Sequence, residues 1–358
     1  MQKDQSRSTT TPPSEETTSK RMASNNLPRT MKALIHNQTT GTLTLDNSAP
    51  LPIPKDDEHL IRVEAAAITT GELLWPRSAD LTKSIPAVET AGVVIKAPST
   101  SRFKPGDKVY FRTQYPRAGS ARQYSIGLEN EMAIRPSNIS PEEAAAVPVS
   151  ALTAWQALLT RVNLNAFLAT QNGHQPDHKL RVFINGASGG VGLCLTQLAR
   201  LAGCEVVGTS TNEKLVRDMG ADEVINYKET TITKWLNSHK DSRFDLVVDL
   251  VGRASLAEAW HAAAEHGLVV TLVPPADMQW KFDLDRPAGI SSTVTGKFFL
   301  MDTNGRRLQQ ITRLIEDGKL RSVVDSIYKL DDYKKAFERL SSGRAVGKVV
   351  LQIRSENS

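Results

Sequence analysis

Seven consecutive residues carry the chemistry most readily read from this chain: Gly186-Ala187-Ser188-Gly189-Gly190-Val191-Gly192. The apolar run Leu180–Asn185 before them reads as a buried strand. After them Leu195, Leu198, Ala199 and Ala202 recur at helical spacing. A strand, a glycine turn and a helix together aim backbone N–H groups and a positive helix end at a phosphate. Gly189 would let the backbone approach a pyrophosphate, and Gly192 would let the helix pack closely on its strand. Ala187 takes the place of the usual first glycine, so the string is A-x-G-x-x-G. In this setting Ala187, Ser188, Gly189, Gly190, Val191 and Gly192 are expected to hold a dinucleotide; the competing reading is a plain structural turn.

The end of the next strand bears on which dinucleotide. An acid there would hold the ribose 2′-hydroxyl of NAD. This strand instead ends Val207-Gly208-Thr209-Ser210, and Glu213 falls inside the following helix. Lys214 comes next, and Tyr227 follows the third strand. Lys214 is either a cation facing a phosphate or a solvated helix residue, and Tyr227 is either a contact or the edge of a core.

These residues need a scaffold, and the chain is long enough to supply one. It has 358 residues with 40% hydrophobic and 23% charged content, the profile of a globular protein with two domains of ordinary size. No apolar stretch reaches the roughly 20 residues that span a bilayer, so no membrane partner is expected. The net charge of +5 is spread out, and no basic block with interleaved aromatics argues for nucleic acid. The only cysteines are Cys194 and Cys204, which points to packing residues in a reducing compartment, the cytoplasm being the expected one. Residues 1–28 are polar and read as a disordered tail. A mitochondrial presequence is the alternative there, opposed by Asp4, Glu15 and Glu16.

From Met31 to Arg135 short β-prone runs alternate with Pro and Gly turns: Met31–Ile35, His59–Ala66, Ala91–Ile95 and Asp107–Arg112. From Leu180 the pattern becomes strand-helix alternation. Strands are expected at Leu180–Asn185, Glu205–Thr209, Glu223–Asn226, Phe244–Val251 and Leu268–Val273. Helices are expected at Gly190–Ala202, Asn212–Met219, Thr231–Ser238 and Ser255–Ala264. That alternation makes a parallel, doubly wound sheet. The last stretch offers helix, strand, helix and strand (Arg306–Asp317, Val323–Tyr328, Asp332–Leu340, Lys348–Ile353), too little to stand alone.

Further segments occur in a recognisable order: Met31-Lys32-Ala33, Glu89-Thr90-Ala91-Gly92-Val93-Val94, Lys104-Pro105-Gly106-Asp107, Ala144-Ala145-Ala146-Val147-Pro148, Leu152-Thr153-Ala154-Trp155, the glycine motif, Met219-Gly220-Ala221-Asp222 and Gly343-Arg344-Ala345-Val346-Gly347-Lys348. As a set they resemble the medium-chain dehydrogenase/reductase superfamily, in its zinc-independent, quinone oxidoreductase-like branch. The resemblance implies an α/β protein in which a GroES-like, mainly-β catalytic domain carries an inserted Rossmann dinucleotide-binding domain. Its boundaries would be 29–148 for the first part of the catalytic domain, 149–296 for the Rossmann domain and 297–358 for the return that completes the catalytic domain. Homodimers through the Rossmann sheet edge are common in the family.

By the same resemblance, Ser210, Lys214 and Tyr227 match positions around the 2′-phosphate of NADPH, making NADPH the expected cofactor. Val251, Gly252, Leu272 and Val273 would lie along the nicotinamide ribose and ring, and Lys348 in a segment closing over the cofactor. Strand-end packing is the alternative for the apolar ones. Zinc-dependent relatives have a cysteine where this chain has Thr70 and Gly-His-Glu where it has Ala87-Val88-Glu89, so no metal site is expected. His174 and His178 flank Pro176 and read as loop residues. Without metal ligands to polarise a carbonyl, hydride delivery to an activated C=C bond of a small enone, quinone or enoyl substrate is the easier chemistry. The family's Asn-x-x-Asp near the nicotinamide is replaced by Thr69-Thr70-Gly71-Glu72. Thr69 would donate to a developing enolate, Glu72 would orient the pocket and Thr153 would touch the nicotinamide amide or else start a helix. Trp75 is a substrate wall or a core residue, and Ala121–Tyr124 would edge the cleft. An enoyl reductase of a polyketide-like biosynthetic pathway, or a nucleotide- or RNA-binding relative without catalysis, are the alternative functions.

Overall fold

The apolar run ahead of the glycine motif becomes strand Arg181–Asn185, its last four residues buried. The computed structural model describes residues 27–75, 82–160, 179–239, 242–274 and 283–354. The expectations for most of the tail and for His174 and His178 fall outside the described residues. Strand Arg181–Asn185 sits inside a six-stranded sheet in the order Glu223–Ile225, Glu205–Thr209, Arg181–Asn185, Phe244–Asp249, Ala263–Thr271, Thr295–Phe298, with every pair parallel. The chain first steps outward on one side of Arg181–Asn185, then crosses to the other. The order reverses between Arg181–Asn185 and Phe244–Asp249, and in such sheets the ligand crevice lies at the carboxyl ends of the strands at that point.

The second sheet runs Val324–Lys329, Lys348–Gln352, Glu58–Ile68, Glu89–Lys96, Lys108–Arg112, Met132–Ile134, and Tyr124–Leu128 also pairs with Glu58–Ile68. Strand Glu58–Ile68 is long enough to share one edge between two partners: Ala65–Ile68 pair with Val349–Gln352, and Glu58–Arg62 with Tyr124–Leu128. The last two strands of the described chain thus return to the N-terminal sheet. Strands Thr30–Asn37, Thr42–Pro50 and Lys83–Ser84 form a third, smaller sheet. The architecture is the α/β arrangement of a mainly-β unit with a parallel Rossmann-like sheet.

Helix Pro148–Leu158 joins the two units. Ten of its eleven residues are buried, so it is enclosed all round rather than on one stripe. Its Leu152 and Trp155 share one continuous core with Val182 and Ile184 of the parallel sheet and with Tyr110 and Ala133 of the mainly-β unit. Gln156 exchanges two hydrogen bonds with the backbone of Asp302, at 2.7 and 2.9 Å.

Most elements lie where periodicity puts them, with ends shifted by a residue or two. Three differences have physical causes. The helix expected to open near Thr153 opens at Pro148, whose fixed φ suits a first helical position. The strand expected at Leu268–Val273 spans Ala263–Thr271, following directly on helix Ala254–Ala262. Strand Thr295–Phe298 carries no periodic signal, because Thr-Gly-Lys-Phe has too little apolar alternation.

Candidate functional site

The glycine motif makes the turn from strand Arg181–Asn185 into helix Gly190–Leu201. Gly189 caps that helix in an extended conformation, with no side chain on its first N–H groups. Ala187 N–H is tied to Thr209 O at 3.0 Å, which holds the turn against the neighbouring strand. At Gly192 a Cβ would collide with the backbone of Gly186 and Ala187, so only glycine lets helix and turn approach this closely. At Gly190 a Cβ would come 2.7 Å from Ser150 Oγ and 2.9 Å from Lys348 Cδ.

No sequence motif marks Ser150. It is buried, and its hydroxyl has no hydrogen-bond partner among the described residues. Such an orphan is costly unless a ligand satisfies it. Its spacing from Thr153, three positions along one helix, is the signal that would have found it. Thr153 is itself buried, six residues into that helix.

A second cluster meets the first at Lys348. Glu89 is fully buried; one carboxylate oxygen accepts the Val149 N–H at 2.8 Å. The other accepts the Thr69 hydroxyl at 3.1 Å and pairs with the Lys348 ammonium. Lys348 Nζ also donates to Thr69 Oγ1 at 2.9 Å. The lysine reaches this place because the return strand crosses the glycine turn: Gly347 N–H donates to Ser188 O at 3.1 Å. Gly347 has φ +84°, and a Cβ there would strike the Val323 carbonyl. Asp325 secures the crossing by accepting the Val346 N–H at 2.8 Å. The Arg339 guanidinium forks onto the same carboxylate at 2.8 and 2.6 Å and holds its pKa down at about 2.

Glu72 is buried and accepts the Ala87 N–H at 3.1 Å, bracing the turn ahead of Val88 and Glu89. Ala87 has φ +64°, a conformation that needs such support. Trp75 is half-buried and packs edge-on against Tyr115, ring centroids 6.0 Å apart. Gln123 and Tyr124 line a different concavity, at the other end of the sheet.

The strand ends that form the crevice are cross-linked by a buried polar network. Asn185 donates to Asp249 at 2.7 Å, Thr209 to Asn185 at 2.9 Å and Thr271 to Asp249 at 2.8 Å. The Gly186 N–H donates to Thr209 Oγ1 and the Gly252 N–H to Asp249, both at 2.9 Å. The network therefore fixes both the glycine turn and the Val251-Gly252 turn opposite it. Val251 is exposed, Gly252 buried, and Leu272 and Val273 half-buried. A cavity of about 210 Å³ opens beside these ends, lined by Asn185, Thr209, Tyr227, Thr231, Ser255 and Glu258. Ser210 is buried and its hydroxyl accepts the Asn212 N–H at 2.8 Å. Lys214 is exposed on the next helix and pairs with Asp218 at 2.7 Å. Thr69 and Lys348 are thus brought together at the glycine motif, whereas Glu72 and Lys214 each face another partner.

The donor set does not suit zinc. Both Glu89 oxygens are taken, one by an ammonium. Burial pushes the thiols of Cys194 and Cys204 up to about 12 and 11, well away from the thiolate a metal binds. Among the described residues no group of three or more His, Cys, Asp or Glu could hold a metal ion.

Residues 55–148 match the model of the alcohol dehydrogenase GroES-like domain, and residues 219–351 that of the zinc-binding dehydrogenase. The chain is 40% identical over 337 residues to a protein of Arthroderma benhamiae named "Probable zinc-binding oxidoreductase, mitochondrial", covering 91% of this chain and 98% of that one. It is 30% identical to a chloroplastic quinone-oxidoreductase homolog of Spinacia oleracea, covering 84% and 92%, and 31% identical to the trans-enoyl reductase pgmF of Aspergillus terreus, covering 91% and 97%. In fold it superposes on the quinone oxidoreductase of Coxiella burnetii with a TM-score of 0.73 at 23% identity, covering 90% of this chain and 99% of that one. With the parallel sheet, the glycine turn and the mainly-β unit in place, the chain belongs to the medium-chain dehydrogenase/reductase superfamily, in its quinone oxidoreductase-like branch.

Proposed function

We propose that this oxidoreductase uses NADPH, without zinc, to reduce an activated C=C bond in an enone, quinone or enoyl thioester. The observation that carries the reading is the orphaned Ser150 hydroxyl beside an uncapped helix start, with Lys348 arched over the same turn. The amides of Ala187 to Gly192, the Ser150 hydroxyl and the Lys348 ammonium would hold the linked phosphates. Val251, Gly252, Leu272 and Val273 would line the nicotinamide end, and Ser210, Lys214 and Tyr227 the 2′-phosphate. For that, Lys214 must leave Asp218, at a cost of about 0.3–0.5 kcal/mol for an exposed helix pair, small beside a charge-assisted phosphate contact.

When bound, the nicotinamide supplies a hydride. The chain's own task is to hold the acceptor carbon in line and to stabilise the charge left on the substrate oxygen. Thr69 would take the second role. Its oxygen accepts from Lys348, which polarises the hydroxyl, and its proton turns from Glu89 to a substrate oxygen at the cost of one hydrogen bond. Glu72 keeps the Ala87 turn, and hence Glu89, in register. A proton for the carbon can come from water. The polyketide-type reading is supported by the Aspergillus terreus relative and is one arm of the same test.

The test is NADPH consumption against a panel of enones, quinones and enoyl thioesters. Turnover of one class is expected; a panel without turnover overturns the reading. Lys214→Ala should raise KM for NADPH at least fivefold more than KM for NADH, and equal effects would remove Lys214 from the 2′-phosphate. The mitochondrial name of one relative makes cell fractionation the check on the cytoplasmic assignment.

A further inference from the structure

A second concavity, of about 450 Å³, lies in the mainly-β unit. Lys32, Arg62, Lys329 and Arg354 line it, together with one acid, Asp331. It is not part of the nucleotide crevice. Arg62 precedes Thr69 by seven positions on nearly the same strand, roughly 20 Å at about 3.3 Å per residue. Gln352, also in the wall, is at the opposite end of its strand from Lys348.

The charges here are not balanced from within. Asp331 is committed to Lys32, with both oxygens within 2.9 Å of its ammonium. The nearby Glu64 pairs with Arg135 at 2.6 Å and stands 3.9 Å from Arg354. Arg62 is half-buried, and its Nε is buried with no hydrogen-bond partner among the described residues. The planar fork of this guanidinium suits two oxygens of one phosphoryl group. The volume is that of a small-ligand site. Lys32, Arg62, Lys329 and Arg354 converge on one concavity of this volume, which fits a small molecule; a polynucleotide laid across it is an outcome of the test.

We propose that this concavity binds a phosphate-bearing small molecule of about mononucleotide size, at a site separate from the dinucleotide crevice. Arg62 is its central ligand, with Lys329 at the rim. The probe is inorganic pyrophosphate, titrated calorimetrically into the full chain, with NADPH titrated in parallel. Arg62→Gln and Lys329→Gln should each weaken pyrophosphate binding about tenfold and leave NADPH affinity unchanged. Thermal midpoints should not fall, since neither variant removes an internal partner; Lys329 is exposed, so its variant reads the site even where Arg62→Gln folds poorly. No pyrophosphate binding by the wild type overturns the proposal. So does equal binding by wild type and both variants, which would place the anion at the glycine turn. Salt-sensitive retention of an RNA oligonucleotide, lost in Arg62→Gln without any pyrophosphate binding, would mean a nucleic-acid surface and overturn it too.

Discussion

Lys348 holds two jobs that mutation can separate. Its ammonium neutralises a fully buried Glu89, and its stem lies against the glycine turn. Removing it alone leaves a buried carboxylate unpaired, a loss of about 3–5 kcal/mol. Lys348→Met should therefore unfold at a clearly lower temperature, and adding Glu89→Gln should restore most of that loss. NADPH affinity should stay weakened in the double variant, read by fluorescence titration. If affinity returned with stability, Lys348 would be structural only. Ser150 gives the reverse pattern. Ser150→Ala removes an orphan hydroxyl, so thermal stability should hold or rise, while the Kd for NADPH rises about five- to tenfold.

Among the elements, the return strand and the segment before it close the site. Asp325 grips the Val346 N–H while Arg339 grips Asp325, so one carboxylate fixes the path of the chain into Gly347 and Lys348. Its pKa lies at about 2, below the ordinary 3.8, through the Arg339 hydrogen bonds. A depressed pKa means that the stabilisation is fully present above the unfolded value of about 4. It is then lost as pH falls toward 2. Acid titration of thermal stability should show this loss in the wild type and a flatter profile in Asp325→Asn. At neutral pH the same variant should raise KM for NADPH with little change in kcat, since Asp325 positions the segment without touching the reacting atoms.

Across the whole molecule, one core runs through helix Pro148–Leu158 and links the sheet that carries the glycine turn to the sheet that carries Glu89 and leads into Thr69. The two halves of the site are thereby held in register by packing. Dialysis against a strong chelator should leave both the thermal midpoint and the reductase rate unchanged, and elemental analysis should find far less than one zinc per chain. A chelator-sensitive rate would contradict the donor set formed by Glu89, Lys348 and the two buried thiols.

Much of this was already written in the order of residues. Strand, glycine turn and helix at Arg181–Leu201 depend on neighbours within a few positions, as does the strand-helix alternation that follows. Local periodicity therefore sufficed for them, and for the helices and strands of the last fifty residues. Only the tertiary structure decided which distant side chains meet. Thr69 and Lys348 are 279 positions apart and touch because strand Lys348–Gln352 pairs beside Glu58–Ile68. The orphaned Ser150 and the basic concavity around Arg62 arise in the same way. Burial and charge balance are sums over everything that packs around a group, and sheet pairing, not proximity in sequence, chooses those neighbours.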